Sequence, residues 1–304
     1  MQTHSKVGGR LALVTAAWVT ALALWCAPVL AQEGPSMAGK TVLVTGSTDG
    51  MGREVAQRLG TLGAHVLVHG RNAVRGAEVV DIINAGPGSA QFYQADLGSL
   101  QQVRDLAAAV MRDHQQLHLL INNAGIASGF NNGQKGLSED GYEMIFQVNY
   151  LSHYLLTDLL LPLLKRSAPA RIVNVASGAQ RPINFEEVFN PTDFDASAAY
   201  AHSKLAQILH TFHKAEELEG SGVTFNTLHP ATMMDTTMVR QMGTPRTTVD
   251  EGATALMNLA VGVSLEGRSG LYFNGLRESR ANAQAYDRAA RAELDALARR
   301  LTGG

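Results

Sequence analysis

Cysteine is nearly absent from this 304-residue chain, and its charge is almost balanced. The one cysteine, Cys26, lies near the amino terminus, so we expect no disulfide and no thiol chemistry in the remainder. The net charge is −2 without a long basic block, which leaves nucleic-acid binding without its electrostatic footprint. The ten histidines show no zinc-ligand spacing, so no metal site is predicted. His210 and His213 share a helical face, which we expect to be solvent-exposed.

No fixed-period repeat divides the chain, and no linker interrupts it after residue 40. Apolar β-branched runs alternate with helical patterns of ten or more residues, which is typical of a buried parallel sheet with right-handed crossovers. The pattern predicts a single doubly wound α/β domain with helices on both faces of a parallel sheet. Strands are predicted at 41–45, 65–69, 90–95, 117–121, 170–176, 223–228 and 270–273. Helices are predicted at 51–62, 74–84, 100–114, 140–149, 151–165, around Tyr200, 250–261 and 281–301.

The amino-terminal segment differs in composition from the rest. Lys6 and Arg10 precede an uncharged apolar run at 11–30, and Ala31 follows it. This form predicts a signal peptide or an uncleaved membrane anchor over residues 1–31, a linker at 32–39 and the domain at 40–304. No Arg-Arg pair marks a twin-arginine signal. The protein would then be exported or membrane-anchored, whereas translation from Met37 would make it cytoplasmic, and the sequence leaves both open.

A glycine-rich turn follows the first predicted strand and precedes a helix. It runs Thr45-Gly46-Ser47-Thr48-Asp49-Gly50-Met51-Gly52. Glycines permit a tight turn and let backbone amides approach a pyrophosphate, which the positive end of the helix dipole attracts. The turn therefore predicts a dinucleotide site, and a tight packing turn without a ligand is the alternative.

A tyrosine and a lysine lie four residues apart in Tyr200-Ala-His-Ser-Lys204, and Ser177 lies upstream. Residues i and i+4 are neighbours on one helix face. A phenol has a pKa near ~10, and a nearby ammonium favours the phenolate, which would bring the tyrosine pKa toward neutral pH. The pair predicts an acid/base site, although both residues are also common on ordinary helices.

Five motifs over about residues 40–275 agree in order with one family. They are the glycine turn, Asp96-Leu97, Asn122-Asn123-Ala124-Gly125, Ser177 and the Tyr200–Lys204 pair. The chain resembles the short-chain dehydrogenase/reductase family, most of all its retinol-dehydrogenase-like branch, and the resemblance implies a Rossmann fold. It implies a catalytic set of Asn149, Ser177, Tyr200 and Lys204. It implies cofactor contacts from Thr45, Gly46, Ser47, Thr48, Gly50, Met51, Gly52, Arg71, Asp96, Leu97, Asn123, Ala124, Gly125, Tyr200, Lys204 and Thr232.

The resemblance also implies a role for each catalytic residue. Tyr200 would donate a proton to the carbonyl oxygen in reduction and take the alcohol proton in oxidation. Lys204 would lower the tyrosine pKa and bind the nicotinamide ribose, and Ser177 would hydrogen-bond the substrate oxygen. Asn149 would hold a water that links Lys204 to solvent, with a purely structural amide as the alternative. Asp96 would accept from the adenine amino group, or would instead cap the following helix.

The choice between NADP and NAD depends on the end of the second strand, His69-Gly70-Arg71-Asn72. NAD enzymes usually carry a carboxylate there for the ribose diol. This chain offers Arg71 instead, whose guanidinium suits a phosphate, so NADP is predicted and NAD is the less favoured cofactor. Asp49 departs from the basic residue that NADP enzymes of the family often carry at that position.

The segment after the sixth strand departs from the family at Pro230-Ala231, where Pro-Gly is common, and alanine restricts the backbone if φ must be positive. Thr232 is favoured over Thr236 as the partner of the nicotinamide carboxamide. Met233, Met234, Met238 and Met242 would line an adaptable apolar pocket or pack into the core.

The sequence therefore predicts an NADP(H)-dependent oxidoreductase that interconverts a carbonyl and an alcohol on a small, apolar substrate. An NAD-linked alcohol dehydrogenase of the same fold and a catalytically silent dinucleotide-binding sensor are the alternatives. A nucleotide-sugar epimerase is disfavoured by the glycine spacing. A homo-oligomer is possible. The sequence names neither the substrate nor the direction of the reaction.

Overall fold

The computed structural model describes residues 1–4, 35–189 and 191–303. The chain divides into Met1–Glu33 and Gly34–Gly304, and every helix and strand described lies in the second unit. Almost all of the predicted leader, residues 1–31, lies outside the described residues, so its interpretation stays a prediction. In the part of the chain that is described, no helix combines the length and the apolarity that a membrane crossing requires.

Eight strands form one sheet across the middle of the domain. They are β1 (Thr41–Val44), β2 (His65–Gly70), β3 (Ser89–Gln94), β4 (Leu119–Asn122), β5 (Ala170–Val175), β6 (Val223–His229), β7 (Tyr272–Asn274) and β8 (Arg277–Glu278). Their order is β3-β2-β1-β4-β5-β6-β7-β8, and all neighbours are parallel except β7 and β8. The doubly wound α/β fold is thus confirmed. The antiparallel edge strand was not predicted, because two residues are too short to carry a strand pattern.

The helices occupy both faces of the sheet. They are α1 (Gly50–Thr61), α2 (Ala73–Asn84), α3 (Leu100–Asp113), α4 (Met144–Phe146), α5 (Ser152–Arg166), α6 (Ala196–Glu217), α7 (Thr237–Arg240), α8 (Val249–Val261) and α9 (Arg288–Thr302). Short 3-10 turns lie at Phe130–Gly133, Val263–Leu265 and Ala283–Tyr286.

Two predicted helix boundaries were wrong, and side-chain caps explain both. The helix predicted at 140–149 begins at Met144, because the Glu143 carboxylate accepts the amides of Ile145 and Phe146. It continues through a π-helical turn, Gln147–Leu151, directly into α5. The helix predicted from residue 281 begins at Arg288, where Asp287 accepts two backbone amides.

Strand β1 shows how the apolar runs divide between the two faces. Val42 and Val44 pack with α1 and α8 on one side, and Leu43 packs with α3 and α5 on the other. All three side chains are fully buried, and each such burial contributes about 1.5–3 kcal/mol to stability. A strand buried on both faces needs a continuous apolar sequence, which is why the run Thr41–Val44 identified it.

A third apolar cluster lies between α6 and α9, and it corrects the expectation for His210. That ring is 4% exposed and contacts the rings of Tyr150, Tyr154 and Phe225. The face of α6 that carries it is covered by α5 and β6, so it is not solvent-exposed. Burial keeps the pKa of His210 well below its usual value, so the ring is neutral.

Candidate active site

The glycine turn between β1 and α1 has the backbone that its sequence predicts. Gly46 and Gly50 have φ values of 64° and 53°, where glycine carries no steric penalty. A Cβ atom on Gly46 would lie 2.8 Å from Ala124 Cα, and one on Gly52 would collide with the Gly46 carbonyl oxygen. Asp49 caps α1 by accepting the Gly50 amide. The turn therefore leads into the amino end of a 12-residue helix, where an anion is favoured.

The other residues of the turn hold its shape. Ser47 Oγ donates to Val44 O at 2.8 Å and accepts from His69 N at 2.9 Å. The amides of Gly46 and Ser47 donate to the ring and the carbonyl of His69, at the end of β2. Met51 is buried in the core on the α8 side of the sheet. The Ser47 hydroxyl and the backbone amides of Gly46 and Ser47 therefore have hydrogen-bond partners within the protein.

Asn123 ties the turn to the end of β4. Its side-chain amide donates to Thr45 O at 2.8 Å and to Gly46 O at 3.2 Å. The backbone amides of Asn123 and Ala124 both donate to Thr45 Oγ1, at 2.8 and 3.0 Å. The predicted Asn-Asn-Ala-Gly motif thus stabilises the glycine turn directly, through the side chain of Asn123 and the backbone amides of Asn123 and Ala124.

Tyr200 and Lys204 lie one turn apart on α6, and Ser177 lies just beyond β5. The Ser177 hydroxyl lies close enough to the Tyr200 phenol to influence its pKa, and Ser177 Oγ accepts the Ala179 amide at 3.1 Å. Lys204 Nζ donates to Val175 O at 2.8 Å and to Gln207 Oε1 at 3.0 Å, and it lies 5.8 Å from the centre of the Tyr200 ring. Three of the four predicted catalytic side chains therefore meet at the carboxyl end of β5.

Burial shifts the proton affinities of this pair. It raises the pKa of Tyr200, and the nearby Ser177 hydroxyl offsets part of that shift. It lowers the pKa of Lys204 from 10.5 to about 7. A lowered tyrosine pKa was expected, but the loss of hydration on burial raises it instead, and Ser177 is the neighbour that opposes the shift. At neutral pH the phenol is protonated and the Lys204 amine is near half-protonation.

Asn149 lies in the π-helical turn, and both the oxygen and the nitrogen of its side-chain amide are hydrogen-bonded. Oδ1 accepts from Ile126 N at 2.8 Å, and Nδ2 donates to Ile126 O and Ser203 Oγ, both at 2.9 Å. A Cβ atom on Gly125 would lie 3.2 Å from Asn149 Oδ1 and 3.6 Å from Lys204 Nζ. Gly125 thus lets the chain pass between Asn149 and Lys204.

Arg71 and Asp96 follow β2 and β3 and face each other. Arg71 Nη1 lies 3.6 Å from Asp96 Oδ2, and the arginine side chain is 66% exposed. Asp96 Oδ1 accepts the Gly98 amide at 2.9 Å, whereas Ser99 is the residue at the amino end of α3. The Asp96 carboxylate therefore stabilises the loop between β3 and α3. The neighbouring Leu97 is buried.

The segment after β6 lies against the glycine turn. Thr237 Oγ1 donates to Asp49 Oδ2 at 2.8 Å. The exposed Thr232 is bonded to the His229 ring at 3.0 Å, and Thr236 caps α7. Ala231 does not have a positive φ, whereas Met233, two residues later, has a φ of 55°.

Two methionines of this segment lie in different surroundings. Met234 packs against the core on the α8 side of the sheet. Met242 is 37% exposed, and its sulfur accepts a hydrogen bond from Ser128 Oγ at 3.4 Å. The segment after β6 is therefore hydrogen-bonded both to Asp49 of the glycine turn and to Ser128.

Sequence reasoning missed Gln207 and His153. Gln207 lies one turn beyond Lys204 and accepts from its amine, so the i+3 spacing would have indicated it. His153 bonds Thr45, 108 residues earlier, and only the fold brings the two together.

Comparison with known proteins gives a consistent result. A family model described as short chain dehydrogenase matches residues 40–247. Retinol dehydrogenase 14 from Mus musculus is 38% identical over 279 residues, which cover 83% of this chain and 82% of that protein.

Solved structures agree with these matches. An uncharacterised protein from Mycobacterium Paratuberculosis superposes with a TM-score of 0.75 at 28% identity, covering 89% of this chain and 96% of the other. The Pseudomonas aeruginosa RhlG/NADP active-site complex superposes with a TM-score of 0.63 at 29% identity, covering 79% of this chain and 95% of the other.

Proposed function

The chain belongs to the short-chain dehydrogenase family of oxidoreductases, and we propose that it interconverts a carbonyl and an alcohol on a small apolar molecule with NADP(H). The observation that carries the proposal is the meeting of Tyr200, Ser177 and Lys204 beside the glycine turn, at the carboxyl ends of parallel strands. Ligands of open α/β sheets bind at this edge.

The residues present fit a dinucleotide. Gly46 and Gly52 let the turn pack closely against Ala124 and against itself, where a Cβ atom would collide, and the amino end of α1 favours the pyrophosphate. Gly125 lets the ligand approach Lys204, whose amine would bind the ribose hydroxyls. When bound, the nicotinamide supplies a hydride in reduction and accepts one in oxidation.

The chain's own residues would handle the proton. In reduction, the protonated Tyr200 phenol donates its proton to the carbonyl oxygen, which Ser177 Oγ also hydrogen-bonds. In oxidation, the Tyr200 phenolate takes the proton of the alcohol. A Lys204 amine with a pKa of about 7 exchanges protons readily at neutral pH and would help restore the phenol. Asn149, held by Ile126 and Ser203, would keep a water near Lys204.

NADP is favoured over NAD because of Arg71. Its guanidinium is exposed beside the turn, and residues 69–72 contain no acid that would repel a 2′-phosphate. Arg75 lies nearby, with Nη1 3.6 Å from Asp49 Oδ2. The RhlG complex, which contains NADP, supports the choice. The alternatives are an NAD-linked alcohol dehydrogenase and a silent sensor.

An apolar substrate is supported by two observations. The name of retinol dehydrogenase 14 indicates retinol, an apolar alcohol, as its substrate. In this chain the segment that faces the site carries Met242, a flexible apolar side chain. We therefore expect long-chain apolar aldehydes to be reduced in preference to sugars.

Fluorescence titration of the full chain with NADPH and NADH tests the cofactor. We expect tighter binding of NADPH. Arg71→Ser should weaken NADPH binding about 10- to 100-fold, the effect of losing a charged hydrogen bond of ~1.5–3 kcal/mol, with little change for NADH. Tighter binding of NADH by the wild-type protein would overturn the NADP assignment, and binding of neither would contradict the dinucleotide site itself.

For residues 1–31 we propose, on sequence alone, the leader described above. Amino-terminal sequencing of the protein from its native cell tests this. A mature start at Gln32 supports a cleaved signal, an intact start supports an anchor, and a start at Met37 contradicts both.

A further inference from the structure

His153 is a buried histidine to which the proposed mechanism assigns no role. It lies on α5, one turn beyond Asn149, and its side chain is 1% exposed. Nδ1 lies 3.0 Å from Asn149 O, and Nε2 lies 2.9 Å from Thr45 Oγ1. The ring therefore joins the first residue of the glycine turn to the π-helical turn that carries Asn149.

The hydrogen-bond partners determine where the proton of this ring lies. A carbonyl oxygen only accepts, so Nδ1 must carry the hydrogen that bonds Asn149 O. Thr45 Oγ1 already accepts the amides of Asn123 and Ala124, so it uses its own hydrogen to donate to Nε2. Burial, with the neighbouring Lys204, lowers the pKa of His153 to about 3, which agrees with a neutral ring.

We propose that His153, as the neutral Nδ1–H tautomer, is a positioning residue that fixes the Asn149 carbonyl relative to the glycine turn. The connection continues from Asn149 Nδ2 to Ser203 Oγ at 2.9 Å, and from Ser203 Oγ to Tyr200 O at 2.8 Å. A continuous set of hydrogen bonds thus links the cofactor turn to the backbone of the acid/base residue. This role rests on the proposed function.

Removal of the His153 ring would affect its two hydrogen-bond partners, Thr45 and Asn149, differently. Thr45 Oγ1 has a second acceptor, Ile121 O, at 3.3 Å, so the glycine turn keeps a partner. The Asn149 carbonyl loses its side-chain donor inside a distorted helical turn, where such contacts set the local geometry. Loss of His153 should therefore reduce kcat more than it weakens cofactor binding.

Three substitutions separate these contributions. His153→Leu should lower kcat about tenfold, the lower end of the range for groups that orient catalytic ligands, with the Kd for NADPH changed less than threefold. His153→Asn keeps an amide donor at the position of Nδ1 and should recover most of kcat. His153→Gln keeps a group near Thr45 but no donor toward Asn149, and should resemble His153→Leu. His118→Leu is the control, since that ring accepts only the Thr41 amide at the opposite edge of the sheet.

Nitrogen-15 NMR of the histidine rings in the wild-type protein tests the tautomer without relying on turnover. A signal of His153 with hydrogen on Nδ1 alone, unchanged from pH 5 to 8, supports the proposal. Hydrogen on Nε2, a charged ring, or equal kcat losses in the Asn and Gln variants would overturn it. If the wild-type protein reduced no carbonyl, the result would count against the proposed function, and the NMR measurement would still test the tautomer of His153.

Discussion

At the residue scale, the site combines the spacing of Tyr200 and Lys204, which is visible in the sequence, with pKa shifts of both side chains that arise from their burial. Tyr200 and Lys204 were predictable because four residues bring side chains together on any helix. Their pKa shifts were not, because the sequence does not give the hydration of a side chain. The hydrogen bond between Thr45 and His153 could not be predicted from the sequence either, since no local pattern relates residues 108 positions apart.

Replacing Tyr200 by phenylalanine tests the acid/base role. Tyr200→Phe removes the proton donor and keeps the ring, so kcat should fall about 10³-fold, within the range for general acid–base groups. NADPH binding should change little. Stopped-flow absorbance at the nicotinamide band measures the hydride step, and fluorescence titration measures binding. Turnover within tenfold of the wild type would show that another group supplies the proton.

Replacing Lys204 by methionine tests the pKa of the buried amine through stability. The pKa of Lys204 is about 7 in the folded protein, against the ordinary lysine value of 10.5, so between these pH values the unfolded chain binds more protons. The cost of burying Lys204 is therefore greatest below pH 7, and it falls as the pH rises toward 10.5.

The Tm of Lys204→Met minus that of the wild type should accordingly decrease from pH 6 to pH 10, as measured by scanning calorimetry. The exposed Lys165→Met serves as the control. A difference independent of pH would indicate that Lys204 is fully charged in the folded protein.

At the scale of elements, the predicted cofactor motifs lie where a strand ends and leads toward the next helix, whereas Tyr200 and Lys204 lie within α6. The glycine turn, Arg71, Asp96 and Asn123 follow β1 to β4 in order along the chain. Apolar runs made β1, β2 and β4 predictable. The boundaries of α4 and α9 were not, because a single capping carboxylate decides where each begins. The edge strand β8 depends on pairing with β7 and not on its own two residues.

The glycine turn offers a test at this scale. Gly52→Ala would bring a Cβ atom against the Gly46 carbonyl and the Asn123 amide. Overpacking of this kind costs about 1–3 kcal/mol, and the displaced turn should bind NADPH at least tenfold more weakly. Chemical denaturation and fluorescence titration measure the two effects.

Gly86→Ala is the matched control, because the nearest atom to its new Cβ would be Ile83 O at 3.4 Å. Unchanged binding by Gly52→Ala would show that the close approach at this position has no part in holding the cofactor.

At the scale of the whole molecule, α9 closes the face of the domain formed by α5 and α6. Leu294 and Leu297 are buried in the cluster that also contains Leu205 and Phe212. Tyr154 OH donates to Asp295 Oδ1 at 3.0 Å across the same contact. If copies of this chain pair, we expect them to use another surface, because this one is already covered.

Ending the chain after Asp287 tests the closing role of α9. The truncated protein should lose several degrees of Tm and self-associate, because each exposed leucine forfeits about 1.5–3 kcal/mol of burial. Calorimetry and light scattering follow both changes. A truncated protein with the wild-type Tm and the wild-type mass in solution would contradict this role.

The strand order has a consequence for how the chain reaches this structure. The central strand β1 is bordered by β2 and by β4, and the pairing of Val42 with Leu119 spans two complete strand–helix units. Closing that loop costs chain entropy before any pairing compensates for it. Folding should therefore be slow compared with helix formation, and a nascent chain that has not reached β4 would hold the apolar strand β1 unpaired on one side.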